Sequence, residues 1–133
     1  MNCSDFRRLA RIRLREARLL LENQCYDGAY YLGGYAVECA LKACIAKKTR
    51  RYDFPERDAS KYYEHKLEKL ALLVGPALLA DLSSNVNIKA NWAIVAKWTH
   101  ESRYAVTSKQ DARSLIKAVS GREGILRCIR RHW

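Results

Sequence analysis

The stretch Tyr26-Asp27-Gly28-Ala29-Tyr30-Tyr31-Leu32-Gly33-Gly34-Tyr35-Ala36-Val37-Glu38-Cys39-Ala40-Leu41-Lys42-Ala43 decides how this chain folds. It holds no proline and no period-two alternation. Ala36, Val37, Ala40 and Leu41, continued by Cys44 and Ile45, recur at spacings of three and four. That periodicity predicts a helix capped by Asp27 and running to about Lys48. Gly33 and Gly34 fall inside it, where each costs about 1 kcal/mol relative to alanine. Close approach of another helix would offset that cost, with Tyr30, Tyr31 and Tyr35 filling space on either side. Glu38 faces into an otherwise apolar segment, and a buried carboxylate needs a partner.

Working outward, Phe6, Ala10, Leu14, Ala17 and Leu21 mark one face of a preceding helix, with Ser4 as its cap and its end near Asn23. Residues 49 to 61, with Pro55, read as the main loop. Tyr63, Leu67, Leu70 and Val74 predict a third helix that Gly75-Pro76 stops, with a short helical turn over 76 to 82. Ile88, Trp92, Val95 and Thr99 line up as a fourth face. Thr107 with Gln110 and Ser108 with Asp111 form nested capping boxes for a last helix. That helix carries Ala112, Leu115, Ile116, Val119, Leu126 and Ile129, with Gly121 and Gly124 as kinks. The fold class is therefore all-α, an antiparallel up-and-down bundle of four to five helices, with residues 1 to 133 as a single domain.

The chain carries a formal net charge of +11, and its 133 residues are 49% hydrophobic and 29% charged, a globular composition rather than a disordered basic tail. The excess is not spread evenly. Residues 1 to 18 carry +4, residues 42 to 51 carry +5 and residues 121 to 133 carry +3, which leaves −1 for the remainder. Clustered Lys and Arg attract phosphates, although charge runs also serve as solvated faces. Helix topology brings the first two segments to one end of an antiparallel pair. The connector over 52 to 85 determines whether the third joins them, and a joined patch favours nucleic acid. Five cysteines, Cys3, Cys25, Cys39, Cys44 and Cys128, show no CxxC and no pairing with histidines. Neither a metal nor another cofactor is expected, and an odd thiol count without a signal-peptide core fits the cytoplasm. The longest apolar runs are a few residues, so no membrane partner is expected.

The run over residues 26 to 43, ending in Glu38-Cys39-Ala40-Leu41-Lys42-Ala43, resembles the second-helix signature of HEPN domains. His65-Lys66-Leu67 and Arg103-Tyr104 also sit where HEPN sequences carry such residues, so the resemblance spans nearly the whole chain. It implies a helical bundle, commonly a homodimer, found with small nucleotidyltransferases. It also implies that some members are metal-independent ribonucleases of toxin-antitoxin or defence systems. That branch is marked by an Arg, four to six residues, then a His, often followed by a Tyr. The His supplies acid/base capacity near neutral pH and the Arg stabilises developing charge on the phosphate.

His100 and Tyr104, four apart and on one face if the helix reaches that far, occupy the His and Tyr places, but positions 93 to 95 are Ala93, Ile94 and Val95, with no Arg. Lys97 and Arg103 are nearby cations without the expected spacing. Arg127 and His132 match the spacing by chance in an Arg-rich segment. The first reading is thus a non-catalytic module binding a nucleotide, RNA or a small nucleotidyltransferase partner. Its contact residues are Arg7, Arg11, Lys42, Lys47, Lys48, Arg50 and Arg51. The second is a metal-independent ribonuclease using His100, Tyr104 and Arg103. The family analogy pairs Glu38 with Arg103, in a buried ion pair or a ligand site. Structural roles stand beside these: His100 flanking a helix end, His65 in the first turn of the third helix, and Trp92, Trp98 and Tyr104 as core or dimer surface rather than base-stacking platforms.

Overall fold

A computed structural model describes residues 1 to 48 and 64 to 133. Two long helices form its frame, α1 (Cys3–Glu22) and α2 (Tyr26–Lys48). Asn2, not Ser4, caps α1: its side chain accepts the Asp5 N–H while the Asp5 carboxylate accepts the Asn2 N–H, each at 2.9 Å. Phe6, Ala10, Leu14 and Ala17 are the residues α1 buries. The turn to α2 closes through Gln24 at φ 63° and a 2.8 Å bond from the Cys25 N–H to the Leu20 carbonyl. So short a link makes the two helices antiparallel neighbours.

Glycine keeps α2 clear for its neighbours. A Cβ on Gly34 would lie 2.2 Å from the Trp98 indole, and one on Gly33 would lie 2.7 Å from Ile116 Cδ1. A side chain, rather than a helix backbone, is thus what Gly34 admits. Trp98 is only 1% exposed, and Tyr31 stacks on it and on Tyr35 with centroids 6.0 Å apart in each case.

The remaining elements are α3 (Leu67–Val74), α4 (Pro76–Leu82), α5 (Val86–Ala96), α6 (Lys109–Ser120) and α7 (Ile125–Arg130), with a 3₁₀ helix (His100–Tyr104) between α5 and α6. No strand occurs among the described residues, and the protein is an all-α bundle. Gly75 separates α3 from α4 at φ 124°, a conformation that favours glycine. The expected last helix is two. Gly121 leaves helical geometry, and a Cβ on Gly124 would lie 2.6 Å from the Val119 carbonyl oxygen, so the chain doubles back on itself between α6 and α7.

Ser108 is borne out as a cap, whereas Thr107 and Asp27 as caps, and Thr99 as part of the fourth face, are corrected. Ser108 caps α6 by accepting the Asp111 N–H at 3.1 Å, whereas the Thr107 N–H goes to Asp27 Oδ1 at 2.5 Å. Asp27, inside the first turn of α2 and so not its cap, ties the start of α2 to the start of α6, and Thr107 is not a cap. The fourth helix stops at Ala96, so Thr99 leaves its face and becomes the cap position of the 3₁₀ helix. The expected 49 to 61 loop and Tyr63 lie outside the described residues. No helix among the described residues is long and apolar enough to cross a membrane.

Candidate functional site

Two groups of charged side chains stand out, and they differ in everything but composition. The first is buried. Glu38, 1% exposed on α2, receives the Lys42 ammonium from one turn onward at 2.8 Å, the i, i+4 geometry of a helix. The same oxygen, Oε1, meets His65 Nδ1 at 2.8 Å. A carboxylate accepts, so Nδ1 carries a proton, and in the corresponding neutral tautomer the basic nitrogen is Nε2. Glu38 Oε2 is buried without a partner among the described residues. The His65 ring touches that of His100, with centroids 4.7 Å apart at 41°. The cluster thus joins α2, the entry to α3 and the 3₁₀ helix.

Glu64 fixes the entry to α3 by accepting the N–H groups of His65 at 3.0 Å and Lys66 at 2.9 Å. The Lys66 N–H, more than any other contact, holds the Glu64 carboxyl below its ordinary range. Beside Glu38, burial first and then the Glu38 charge push the Cys39 thiol up to about 12. Burial also raises the Tyr35 hydroxyl.

Three expectations are corrected here. Arg103 does not pair with Glu38: it is exposed, and its guanidinium lies 4.8 Å from the centroid of the Tyr104 ring. Lys42 is only 6% exposed and committed to Glu38, so it offers nothing to a phosphate. His100 and Tyr104 do not share a face either. A 3₁₀ helix turns three residues per turn, so positions four apart diverge. His100 goes to His65, while Tyr104 is 79% exposed. At the alternative match, His132 Nε2 is held by Asp81 Oδ2 at 2.6 Å, and Arg127 Nη1 turns to the Arg122 carbonyl at 3.4 Å.

The second group is mostly solvated, with Arg7 half-buried and its Nε shielded from solvent. Arg7, Arg11 and Arg130 place their guanidinium carbons 5.9, 5.2 and 5.7 Å from the centroid of the Trp133 ring. Lys47 donates to the Trp133 carbonyl at 3.2 Å. The ends of α1, α2 and α7 therefore meet, and the C-terminal basic segment joins the other two. Lys47 and Lys48 are exposed at the end of α2. Arg50 and Arg51 lie outside the described residues. From Trp133 a groove continues between α1 and the α6–α7 junction as adjoining cavities of about 350 and 390 Å³, with Arg11, Arg15 and Arg18 on one side and Arg122, Arg127 and Arg130 on the other.

The signals for these residues differed in kind. The Glu38–Lys42 pair was readable from its spacing of four. His65 had no signal linking it to Glu38, since the contact spans 27 positions of sequence. The groove arginines were visible only as charge counts. No group of three or more His, Cys, Asp or Glu side chains among the described residues is arranged to hold a metal ion.

With this geometry in view, the comparison with known families is decisive for class: the HEPN domain family matches residues 3–131, nearly the whole chain, and the protein belongs to it. No curated protein and no solved structure matches the chain.

Proposed function

We propose that this chain is a non-catalytic HEPN module that binds RNA through its basic face. The observation that carries this reading is the meeting of three basic segments around Trp133, where Arg7, Arg11, Lys47 and Arg130 converge. Arg11, Lys47 and Arg130 are exposed and Arg7 is half-buried, and cations so concentrated on one face supply a sequence-independent attraction for a phosphate backbone. Membership in the HEPN family supports an RNA-related or nucleotidyltransferase-associated role in general terms. A small nucleotidyltransferase partner, a homodimer and a place in the cytoplasm belong to the same reading.

A second reading rests on a separate observation. The buried Glu38 carboxylate orients His65, and His65 touches His100. An imidazole whose Nδ1–H is held by a carboxylate keeps Nε2 ready to take a proton. In a metal-independent ribonuclease, one histidine accepts the proton of an RNA 2′-hydroxyl as its oxygen attacks phosphorus. The other protonates the departing 5′-oxygen, leaving a 2′,3′-cyclic phosphate. Incubating the purified protein with a labelled RNA and EDTA separates the two. Retained binding with an intact RNA is the expected result; cleavage abolished by His100→Ala overturns the non-catalytic reading in favour of the second.

A further inference from the structure

We infer that the groove between α1 and the α6–α7 junction is a track for the sugar-phosphate backbone of single-stranded RNA, read by charge and not by base. The inference rests on the RNA-binding reading and names the surface and the form of ligand that reading leaves open.

Arg11, Arg15 and Arg18 follow one another at spacings of four and three, and all three are exposed. They therefore form one row along α1 over about 10 Å, at 1.5 Å per residue. The facing row comes from a different part of the chain. The break at Gly121 carries Arg122 to the groove, and α7 presents Arg127 and Arg130. Leu14, Val119 and Leu126 form an apolar floor, which weakens solvent screening above it.

Three features distinguish this groove from an ordinary solvated face. Glu22, at one end, is the only carboxylate in its lining among the described residues. None of the six arginines forms an ion pair with a carboxylate among the described residues, where the one Arg pair is Arg13 with Glu16. Two of them, Arg11 and Arg130, are already gathered at the Trp133 ring. Bidentate guanidinium forks suit phosphate oxygens. Two facing rows extended over this length suit successive phosphates rather than one isolated anion. Among the described residues, the cavities contain no aromatic side chain to stack on a base. A concave slot also admits a single strand more deeply than a duplex, which would rest on its rim.

Fluorescence polarisation with 5′-labelled U12, in EDTA and at 50 to 200 mM KCl, tests this with the full chain. R18Q/R127Q removes one exposed cation from each wall. It is expected to weaken binding at least tenfold at 100 mM KCl and to lower the salt slope by about 0.7 for each phosphate no longer neutralised. K89Q/R113Q removes the same charge from exposed positions outside the groove and should stay within twofold of wild type. A groove variant that binds like wild type, or a control that weakens equally, overturns the track. A blunt 12-base-pair RNA duplex binding as tightly as U12 overturns its single-strand form. Failure of the wild-type chain to bind any RNA sinks the RNA-binding reading itself. Circular dichroism and thermal melting of both variants separate weakened binding from a damaged fold, and a melt matching wild type is expected.

Discussion

The Glu38 cluster and the arginine groove are built from the same kinds of side chain, yet they do opposite work. In the cluster, Lys42 is 6% exposed and Glu38 1%, so each charge has lost its water and depends on the other. Taking such ions out of water costs several kcal/mol apiece, which is recovered only through good partner geometry. In the groove, Arg11, Arg15, Arg18, Arg122, Arg127 and Arg130 keep their water and have no carboxylate partner among the described residues. They contribute little to the fold and remain available to an outside anion. A cation's role here follows from its solvent and partners, not its identity.

The strongest way to break the contrast is to strand a buried charge. Glu38→Ala leaves the Lys42 ammonium buried without its carboxylate and is expected to cost about 3–5 kcal/mol in urea unfolding. The double variant E38Q/K42M should lose less than either single change, because it removes both charges together. A cycle in which the losses simply add would remove the cluster's claim to be a coupled unit.

Next in size is Gly34→Ala. The new methyl would meet the Trp98 indole at 2.2 Å, so the tryptophan or the helix must move. A loss of about 1–3 kcal/mol is expected, with a red shift in tryptophan emission. His100 follows Trp98 by two residues, so the same change should also alter the His65–His100 contact, visible as shifted histidine ring resonances.

Alkaline pH probes burial along α2, beside Glu38 at Cys39 and towards the basic end at Cys44. The Cys39 and Cys44 thiols are both raised to about 12 from 9.0, burial being the leading cause in each case. Because the folded state holds them protonated, their stabilising contribution is complete below pH 9 and is lost as the pH climbs towards 12. The urea midpoint should therefore fall across that window, and less steeply in Cys39→Ala. At about pH 8, a thiol reagent should modify exposed Cys25 in the native protein while sparing Cys39 and Cys44.

The smallest effect sharpens the other half of the comparison. R18Q/R127Q is expected to leave folding stability within about 0.5 kcal/mol of wild type, as surface changes commonly do, while RNA binding falls. Raising KCl should likewise weaken binding without loosening Glu38 from Lys42, since salt screens exposed charges far more than buried ones.

Much of the fold was open to reading because α1 and α2 are long enough for three-and-four periodicity to accumulate. Phe6, Ala10, Leu14 and Ala17 are the residues α1 buries. The breaks were harder. Gly121 and Gly124 read as kinks in one helix, but both take extended backbone, so α6 ends at the first and α7 begins after the second. The candidate site divides similarly. Lys42 follows Glu38 by four residues, a local relation that any helix imposes. His65 reaches the same oxygen across 27 positions, and the spacing of His100 and Tyr104 misled because the local helix is 3₁₀.

What the sequence determined by itself was local: helical class, the two long helices, the glycines at Gly33 and Gly34, and the concentration of positive charge in three segments. Tertiary structure alone decided which charges lost their water and which kept it. It set Lys42 against Glu38 and His65, drew Arg103 away to Tyr104, and brought the arginines of α7 opposite those of α1. The reason is physical: periodicity specifies which face of a helix turns inward, while desolvation and pairing depend on what other parts of the chain bring to that face.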